Sequence, residues 1–521
     1  MTGDAMHSET SARSETSALW ATDAPAIATD AFPDESAPFD VTVVGAGITG
    51  LTAALLFARA GQRVIVIDGR TVGAVATGRT TAKVSQLQGT LLQKIRSRNT
   101  AAVTGAYVDS QRAAFQWMLD FASTSKLAIE RRDAVTYAAT PQGREAVERE
   151  LRLARHAGLP VDLIDDAHLP FATFGAIKLA DQAQVDPLQL LAALAAELRA
   201  HGGMIVENVR VTGVHASRWD DAATVHTTSG DLPAGRVVLA TGTPILDRGL
   251  YFAKLAARRS YAQAWRVPEE QLPDGMFLGV EEPTRSLRTA RGLLLTGGNG
   301  HGVGRHPSPR RASDELATWT RRWWPSAEPV AEWSAQDYLT PHGVPFVGWL
   351  PRGGGKVYLA TGFSKWGMTN GVATALTLVA DVLGGGTDWQ RVLHRRPTLP
   401  AAMAAGIGEN AAVGVWYAKS WLGAMTHPAP SDTIEGHGEV GRRGVLPTGI
   451  SRVDGEVRSV CAVCPHLGAV VQWNDFERSW DCPAHGSRFA PDGSVLEGPA
   501  TRGLRSAAAG DASRDPRPIS P

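Results

Sequence analysis

The sequence predicts a three-part protein. An α/β domain on a parallel sheet is interleaved with an α+β domain on an antiparallel sheet, and a small all-β module follows at the C-terminus. Three observations carry that reading. Residues 40–68, DVTVVGAGITGLTAALLFARAGQRVIVID, run as strand, tight turn, helix and strand. The four residues Leu-Ala-Thr-Gly recur at 239–242 and 359–362, each time closing an apolar run. After residue 431 helical periodicity gives way to short alternating strands broken by Gly and Asp turns.

Within 40–68 the apolar run Val41–Val44 ends in Gly45-Ala46-Gly47-Ile48-Thr49-Gly50. A helical pattern with Leu51, Leu55 and Ala58 on one face follows, and Gly61 caps it. Gly45 permits the turn, Gly47 lets a pyrophosphate approach the backbone at the helix N-terminus, and Gly50 lets helix and strand pack closely. Asp68 stands 23 residues after Gly45, at the end of the second strand, where a carboxylate accepts hydrogen bonds from a ribose diol. The unit reads as a dinucleotide site that leaves NAD and FAD both open.

With 521 residues, 43% hydrophobic and 20% charged, the chain has material for a large core and several domains. Lys+Arg and Asp+Glu both number 52, so neither nucleic acid nor an anionic membrane is expected as a partner. The 3 cysteines all fall between 461 and 482, too few for a disulfide framework and clustered as metal ligands are. This suits a reducing compartment, and a cytoplasmic location is expected. Residues 1–38 are rich in Ser, Thr, Ala, Asp and Glu and lack a basic region followed by an apolar core. They are expected to be mostly disordered, with Leu19-Trp20 able to dock on the folded body; residues 506–521 are expected to form a second disordered tail. No run of 18 apolar residues occurs, so no membrane span is expected.

After Asp68, the segment GAVATGRTTAKVSQLQGT at 73–90 is rich in small and hydroxyl residues. Such a segment can run along a cofactor, which makes Thr80 and Thr81 candidates; an ordinary polar loop is the alternative. Leu92, Ile95, Val103, Tyr107, Phe115 and Leu119 then sit at helical spacings. Short strands and a charged helix at 145–156 follow, as in an inserted substrate domain. Pro187 opens an amphipathic helix within 182–200, and residues 204–214 and 224–228 alternate as strands. Both Leu-Ala-Thr-Gly endings let a cofactor approach the backbone, at Thr241, Gly242 and Gly362. Residues 367–371 form the first turn of a helix whose amide dipoles, at Gly367, Met368 and Thr369, face an electron-rich ring edge.

The fingerprint at 45–50, GRTTAKVSQ at 78–86, VVLATGTP at 237–244, WSAQDYLTPHGVPFVG at 333–348 and ATGFSKWGMTNG at 360–371 together resemble the D-amino-acid oxidase-like FAD oxidoreductases. The resemblance covers roughly 39–385. It looks closest to the branch similar to glycine and gamma-glutamylputrescine oxidases that carries a Rieske domain. It implies bound FAD in a Rossmann-like α/β domain at about 39–110, 180–250 and 335–385, interleaved with an α+β substrate domain at about 111–179 and 251–334. It also implies that a C–H beside an amine gives hydride to the flavin. Some relatives attach FAD through a cysteine; no cysteine lies in 1–460, which excludes that linkage. Arg258 or Arg259 is placed to hold a substrate carboxylate, although adjacent strand residues point to opposite faces and one arginine is then surface. Tyr261 and His301 are candidates to line the pocket, and Lys365 completes the catalytic candidates. Gln336 and Asp337 are expected to brace the flavin edge.

Residues 386–430 read as a helical connection, with Trp416, Tyr417 and Trp421 packing it on a neighbouring domain and Pro428 and Pro430 ending it. The module at 431–505 holds CPHLG at 464–468 and CPAHGSRF at 482–489. C-x-H and C-x-x-H put one thiolate and one imidazole on each of two loops. This is the ligand set of a Rieske [2Fe-2S] centre, with Cys464, His466, Cys482 and His485 as ligands. Cys461-x2-Cys464 with Cys482-x2-His485 is also an acceptable Cys3His zinc spacing, which leaves His466 idle. The resemblance implies a second cysteine in each loop, disulfide-bonded in many Rieske domains; Ala469 and Ala484 take those places here. Ser487 matches the hydroxyl that bonds a cluster sulfur, and Phe489 stands where high-potential relatives have Tyr.

These readings support oxidation of a small amine or amino acid by hydride transfer to FAD, with electrons passed singly through the cluster to a separate acceptor. The reverse flow, from an external donor into the flavin, is open. A non-catalytic flavin and iron-sulfur protein, for electron transfer or redox sensing, is the competing class.

Overall fold

The computed structural model describes residues 16–34 and 37–507; the rest of the two expected tails, 1–15 and 508–521, lies outside the described residues. Strand Phe39–Val44 sits at the centre of the first sheet because its valines and Phe39 are apolar on both faces. Parallel neighbours flank it, Val64–Ile67 on one side and Gly230–Leu239 on the other. Met204–Val206 and Val357–Thr361 extend the sheet in parallel, and Phe346–Trp349 closes one edge antiparallel. Helices Ile48–Arg59, Pro187–Ala200 and Gly367–Leu383 cover one face. Strands Val211–His215 and Ala223–Thr227 lie over the other. Helix 187–200 begins where it does because Asp186 accepts from the amides of Leu188 and Gln189 (2.9 and 3.2 Å) and Pro187 needs no partner for an amide. The residues before it, to Val185, are strand rather than helix.

The second sheet has nine strands. In spatial order they are Glu328–Leu339, Ala256–Arg266, Leu293–Gly302, Arg285–Ala290, Met276–Gly279, Ile129–Tyr137, Ala176–Val185 and Lys83–Val84, with Asp162–Ile164 beside the last long strand. Every pairing is antiparallel except that of Met276–Gly279 with Ile129–Tyr137. Lys83–Val84 comes from the segment after the second parallel strand, so the two sheets are stitched together there. Gln336 and Asp337 belong to this second sheet.

Residues 16–34 are packed rather than loose. Trp20 is buried, donates from its indole to the Thr80 carbonyl (2.8 Å) and carries Arg288 and Arg291 over its ring. The Asp30 amide donates to the Ile205 carbonyl (2.7 Å).

The C-terminal module has a three-stranded sheet, Gly438–Arg443, Leu446–Val453 and Glu456–Cys461, and a four-stranded one, Gln472–Asn474, Ser479–Asp481, Arg488–Phe489 and Val495–Glu497, both antiparallel. Helix Pro400–Thr426 ties it to the rest: Asn410 donates to the Ala253 carbonyl (2.7 Å) and Trp421 to the Gly468 carbonyl (2.9 Å). Tyr417 and Trp421 pack on the module's core, whereas Trp416 lies under the Lys419 ammonium. Among the described residues no helix is long and apolar enough to cross a membrane.

Candidate flavin and iron-sulfur sites

The glycine turn, the two Leu-Ala-Thr-Gly endings and the first turn of helix 367–383 converge at the carboxyl ends of the parallel strands, where α/β sheets bind ligands. Gly45, at φ 108°, abuts the next strand end so closely that a Cβ would lie 2.5 Å from the Ala240 carbonyl oxygen. A Cβ on Gly50 would lie 1.9 Å from the Gly45 oxygen, whereas one on Gly47 would meet only the Thr77 hydroxyl. Beside Gly47 the hydroxyl of Thr49 is buried without a partner. An open backbone and an orphaned donor at a helix N-terminus fit a pyrophosphate. Asp68, its pKa raised by burial, accepts from the amides of Ala46 (2.7 Å) and Arg70 (2.8 Å). It holds the turn closed at the end of the second parallel strand. Thr361 donates to the Gly242 carbonyl and so ties the two repeated strand ends together, while Thr241 bonds within its own loop to the Thr243 carbonyl. Gly362 presses against the Thr340 methyl, and Met368 is buried. Thr369 accepts from Gln88 (3.0 Å) in a buried network with Gln111, Tyr107 and Asn370.

Two of the flavin candidates are otherwise engaged. Thr80 accepts from the Ala82 amide (3.1 Å), and the Thr81 carbonyl accepts from Arg288. Both stabilise the turn that carries Lys83 into the second sheet. The hydroxyl of this segment that reaches the glycine turn is Thr77, which accepts from the Ile48 amide (3.2 Å). Lys83 itself donates to Ser286 and Thr81, and burial, followed by the Arg288 charge, lowers its pKa to about 7.

Strand 256–266 sorts the catalytic candidates by face. Arg259 is 1% exposed, donates to Ser334 (2.5 Å) and Gln336 (3.2 Å), and pairs with Glu477 (3.6 Å) and Asp481 (4.0 Å) of the C-terminal module. It is committed to carboxylates of its own chain and cannot hold a substrate's. Tyr261 packs edge-on against Phe476 and donates to Nε2 of His301 (2.8 Å), whose Nδ1 donates to the Gly302 carbonyl (2.9 Å). Burial lowers the His301 pKa to about 4, so the ring is neutral at ordinary pH. Tyr261 therefore lines the interface with the module, and His301 is held beside it by the tyrosine hydroxyl. Gln336, expected at the flavin edge, donates to the Gly486 carbonyl (2.8 Å) in a cluster loop.

The opposite face carries Arg258, Ser260 and Asp337. Lys365 donates its amide to Asp337, and its ammonium and the partnerless, buried Ser260 hydroxyl approach the point where a Cβ on Gly300 would sit, at 2.8 and 2.7 Å. Lys365 is exposed, yet the desolvation imposed by the surrounding protein lowers its pKa, opposed by Glu282 and Asp337 and aided by Arg258. Lys94 is lowered to about 8, first by burial and then by Arg98 and Arg258; Asp337 is raised to about 6 by burial. Arg258 is shared with Glu409 (3.6 Å). The face is a cationic wall with an unused hydroxyl.

In the module, Cys464 and Cys482 are buried and their thiols lie within hydrogen-bonding reach of each other. The rings of His466 and His485 stand 5.2 Å apart and perpendicular. His466 uses Nε2 on Asp247 (2.9 Å), leaving Nδ1 free, and Nδ1 of His485 is buried without a partner. Two free ring nitrogens and two adjacent thiols are the donor set of a binuclear centre split two and two. Among the described residues no three His, Cys, Asp or Glu side chains converge on one point, so the alternative Cys3His zinc set is not assembled; Cys461 lies on strand 456–461. The loops hold without a disulfide. Cys464 donates its amide to the Ala469 carbonyl (2.9 Å), Cys482 to the Ser487 carbonyl (2.8 Å), and Ala469 and Ala484 fill the core. Ser487 lies within reach of the Cys464 sulfur and accepts from the Ala500 amide (3.0 Å); Phe489 is fully buried.

Sequence reasoning missed the residues that join the module to the flavoprotein. Arg79, Arg259 and Arg488 surround Glu477 at 3.0, 3.6 and 3.4 Å, and Arg488 also meets Asp481 (3.2 Å) and Glu497 (3.7 Å). Arg305 donates to the Pro483 carbonyl (2.8 Å) and pairs with Glu409 (2.8 Å).

Comparison with known proteins agrees with this geometry. The family described as DAO, FAD dependent oxidoreductase, matches residues 40–381, and the Rieske [2Fe-2S] domain matches 430–508. The chain is 29% identical over 491 residues to the Bacillus subtilis protein YhfW, whose name describes a Rieske 2Fe-2S iron-sulfur protein, covering 90% of this chain and 94% of that one. A cytochrome b6-f complex iron-sulfur subunit of Nostoc is 52% identical over 42 residues, which are 8% of this chain and 24% of that subunit. The fold is that of glycine oxidase from Geobacillus kaustophilus (TM-score 0.58, 20% identity, 67% of this chain and 96% of that). L-proline dehydrogenase from P. horikoshii shares it too (TM-score 0.57, 17% identity, 68% and 95%). The chain belongs to the FAD dependent oxidoreductase family, with FAD as the cofactor of its α/β domain and a Rieske [2Fe-2S] cluster as that of its C-terminal module.

Proposed function

We propose that this protein oxidises a small amine or amino acid at the carbon beside nitrogen and exchanges the electrons with a separate carrier by way of the Rieske centre, in a reducing, cytoplasmic setting. The observation that supports it is the cationic wall of Lys94, Arg258 and Lys365 with the free Ser260 hydroxyl, on the sheet face turned away from the C-terminal module. Lys365 and Arg258 would hold a substrate carboxylate by charge-assisted hydrogen bonds. Ser260 would accept or donate to the same group, and Asp337 would position Lys365 through its amide. The loop 362–369 would carry the flavin edge, and Gly45, Gly47, Ile48, Thr49, Gly50 and Asp68 the dinucleotide. Cys464, His466, Cys482 and His485 would hold the cluster. Bound FAD supplies a two-electron acceptor for hydride and the cluster a one-electron carrier, so each substrate oxidised corresponds to two single-electron passages.

Two proteins that share the fold, a glycine oxidase and an L-proline dehydrogenase, are consistent with an amino-acid substrate. An anaerobic panel of amines and amino acids tests the reading. Bleaching of the flavin by at least one carboxylate-bearing amine supports it. A panel with no bleaching favours the competing class, an electron-transfer or redox-sensing protein without substrate turnover.

A further inference from the structure

The second cluster loop is enclosed by the rest of the chain. A Cβ on Gly304 would lie 2.7 Å from the Asp481 carbonyl oxygen and 2.8 Å from the Pro483 nitrogen, and one on Gly486 would lie 2.4 Å from the Ala257 methyl. Arg305 and Gln336 hold the carbonyls of Pro483 and Gly486. The two histidines face the same way, onto the segment that follows the first Leu-Ala-Thr-Gly ending. Asp247, five residues after Gly242, accepts from Nε2 of His466 at 2.9 Å. The Phe252 ring sits edge-on to both imidazoles, at 5.2 Å from His466 and 5.0 Å from His485. As a result the His466 side chain is only 6% exposed although its loop neighbours Pro465 and Leu467 are exposed. Asn410 of the connecting helix fixes this cap by bonding the Ala253 carbonyl.

We propose that Asp247 and Phe252 are positioning residues that close the histidine edge of the cluster site onto the flavin domain of the same chain. The partner of that edge is then the chain's own flavin domain, reached through the short covalent stretch from Gly242 to Asp247, and a separate carrier has to meet the cluster module elsewhere. Two features argue that the closure is permanent rather than a passing contact. Glu477 and Asp481 of the module are buried against Arg79 and Arg259 of the flavoprotein, with the module's own Arg488 beside them, so separation would expose or orphan several charges. Asp247 supplies a carboxylate to a ligand's outer nitrogen, the arrangement that fixes ring orientation and makes the ligand a stronger donor.

This closure depends on the cluster being held as described and not on the substrate. Its test is the reaction of the oxidised holoprotein with diethyl pyrocarbonate, which acylates accessible imidazole nitrogens, read by peptide mass spectrometry. His168, 89% exposed, is the internal standard. We expect His466 and His485 to react at least tenfold more slowly than His168, and Phe252→Ala to bring His466 toward the standard. Asp247→Asn, at an exposed carboxylate that leaves the core untouched, is expected to raise the cluster's reduction potential by removing negative charge beside a ligand. Acylation of wild-type His466 at the rate of His168 overturns the proposal. So does unchanged reactivity in Phe252→Ala together with an unchanged potential in Asp247→Asn. A flavin that no amine bleaches would sink the proposed substrate and leave this result standing.

Discussion

Glu477→Gln tests the docking of the cluster module on the flavoprotein. In the structure the Glu477 carboxylate is buried; burial alone would raise its pKa, and Arg79, Arg488 and Arg259, with a hydrogen bond from Ser334 (2.5 Å), outweigh it and hold the pKa at about 2. Against the ordinary value of 4.5 this is roughly 2.5 pKa steps, or about 3 kcal/mol of stability at neutral pH. Because the folded pKa is depressed, that stability is fully present above about pH 4.5 and is lost as pH falls toward about 2. The amide keeps the shape and leaves Arg259 facing Asp481 alone at 4.0 Å, so the loss is that of a broken buried pair, not of a surface bridge. Thermal melts of holoprotein, followed by the cluster's visible absorption between pH 7 and pH 3, read the effect. The variant is expected to melt roughly 3 °C lower at pH 7, with a shallower acid dependence than wild type. A difference below about 1 kcal/mol, or identical acid profiles, would refute the reading that these charges hold the module in place.

Lys365→Met should weaken binding of a substrate carboxylate by roughly 10- to 100-fold, the worth of a charged hydrogen bond, while Arg259→Lys leaves that affinity unchanged and lowers the melting point; equal effects on affinity would return Arg259 to the pocket. Gly50→Ala drives a methyl into the Gly45 carbonyl and should yield protein with its cluster spectrum but without FAD, measured by the ratio of flavin to iron. Lys83, with its pKa depressed to about 7 by burial, releases a proton on folding, so Lys83→Met should stabilise most below pH 7 and progressively less toward pH 10; a constant difference would show that the ammonium is not desolvated. Ser487→Ala should lower the cluster's potential and Phe489→Tyr raise it in redox titrations, because hydroxyl donors to sulfur favour the reduced state; no response to either would place the hydroxyls away from the sulfurs.

The parts of the site legible in the sequence are those whose chemistry is contiguous along the chain. The turn at Gly45–Gly50 carries its own geometric demand, and each cluster loop holds one cysteine and one histidine within four residues. The parts that were not legible depend on which surface covers which. Alternation along strand 256–266 says that Arg258 and Arg259 face opposite ways, but not that a module more than 200 residues later brings Glu477 and Asp481 to one of them. The same blindness put Tyr261 and His301 at the substrate and Gln336 at the flavin edge, whereas Tyr261 meets Phe476 and the His301 ring, and Gln336 meets Gly486. Thr77, Thr80 and Thr81 lie in one aperiodic segment, and only the fold of the 3-10 turn 77–79 decides that Thr77 is the hydroxyl that reaches Ile48. The docking of Trp20 was legible because an isolated indole in a polar segment has few other ways to leave water.

In the proposed reaction a single chain joins substrate oxidation to one-electron transfer. Anaerobic mixing of the holoprotein with the panel of amines and amino acids, followed at once by flavin absorption and by the electron paramagnetic resonance of the reduced cluster, tests that coupling most directly. Coupling within one chain predicts that a carboxylate-bearing amine bleaches the flavin and that the reduced-cluster signal then grows at a rate independent of protein concentration. A flavin that bleaches while the cluster stays oxidised, or a cluster signal whose rate rises with protein concentration, would contradict it.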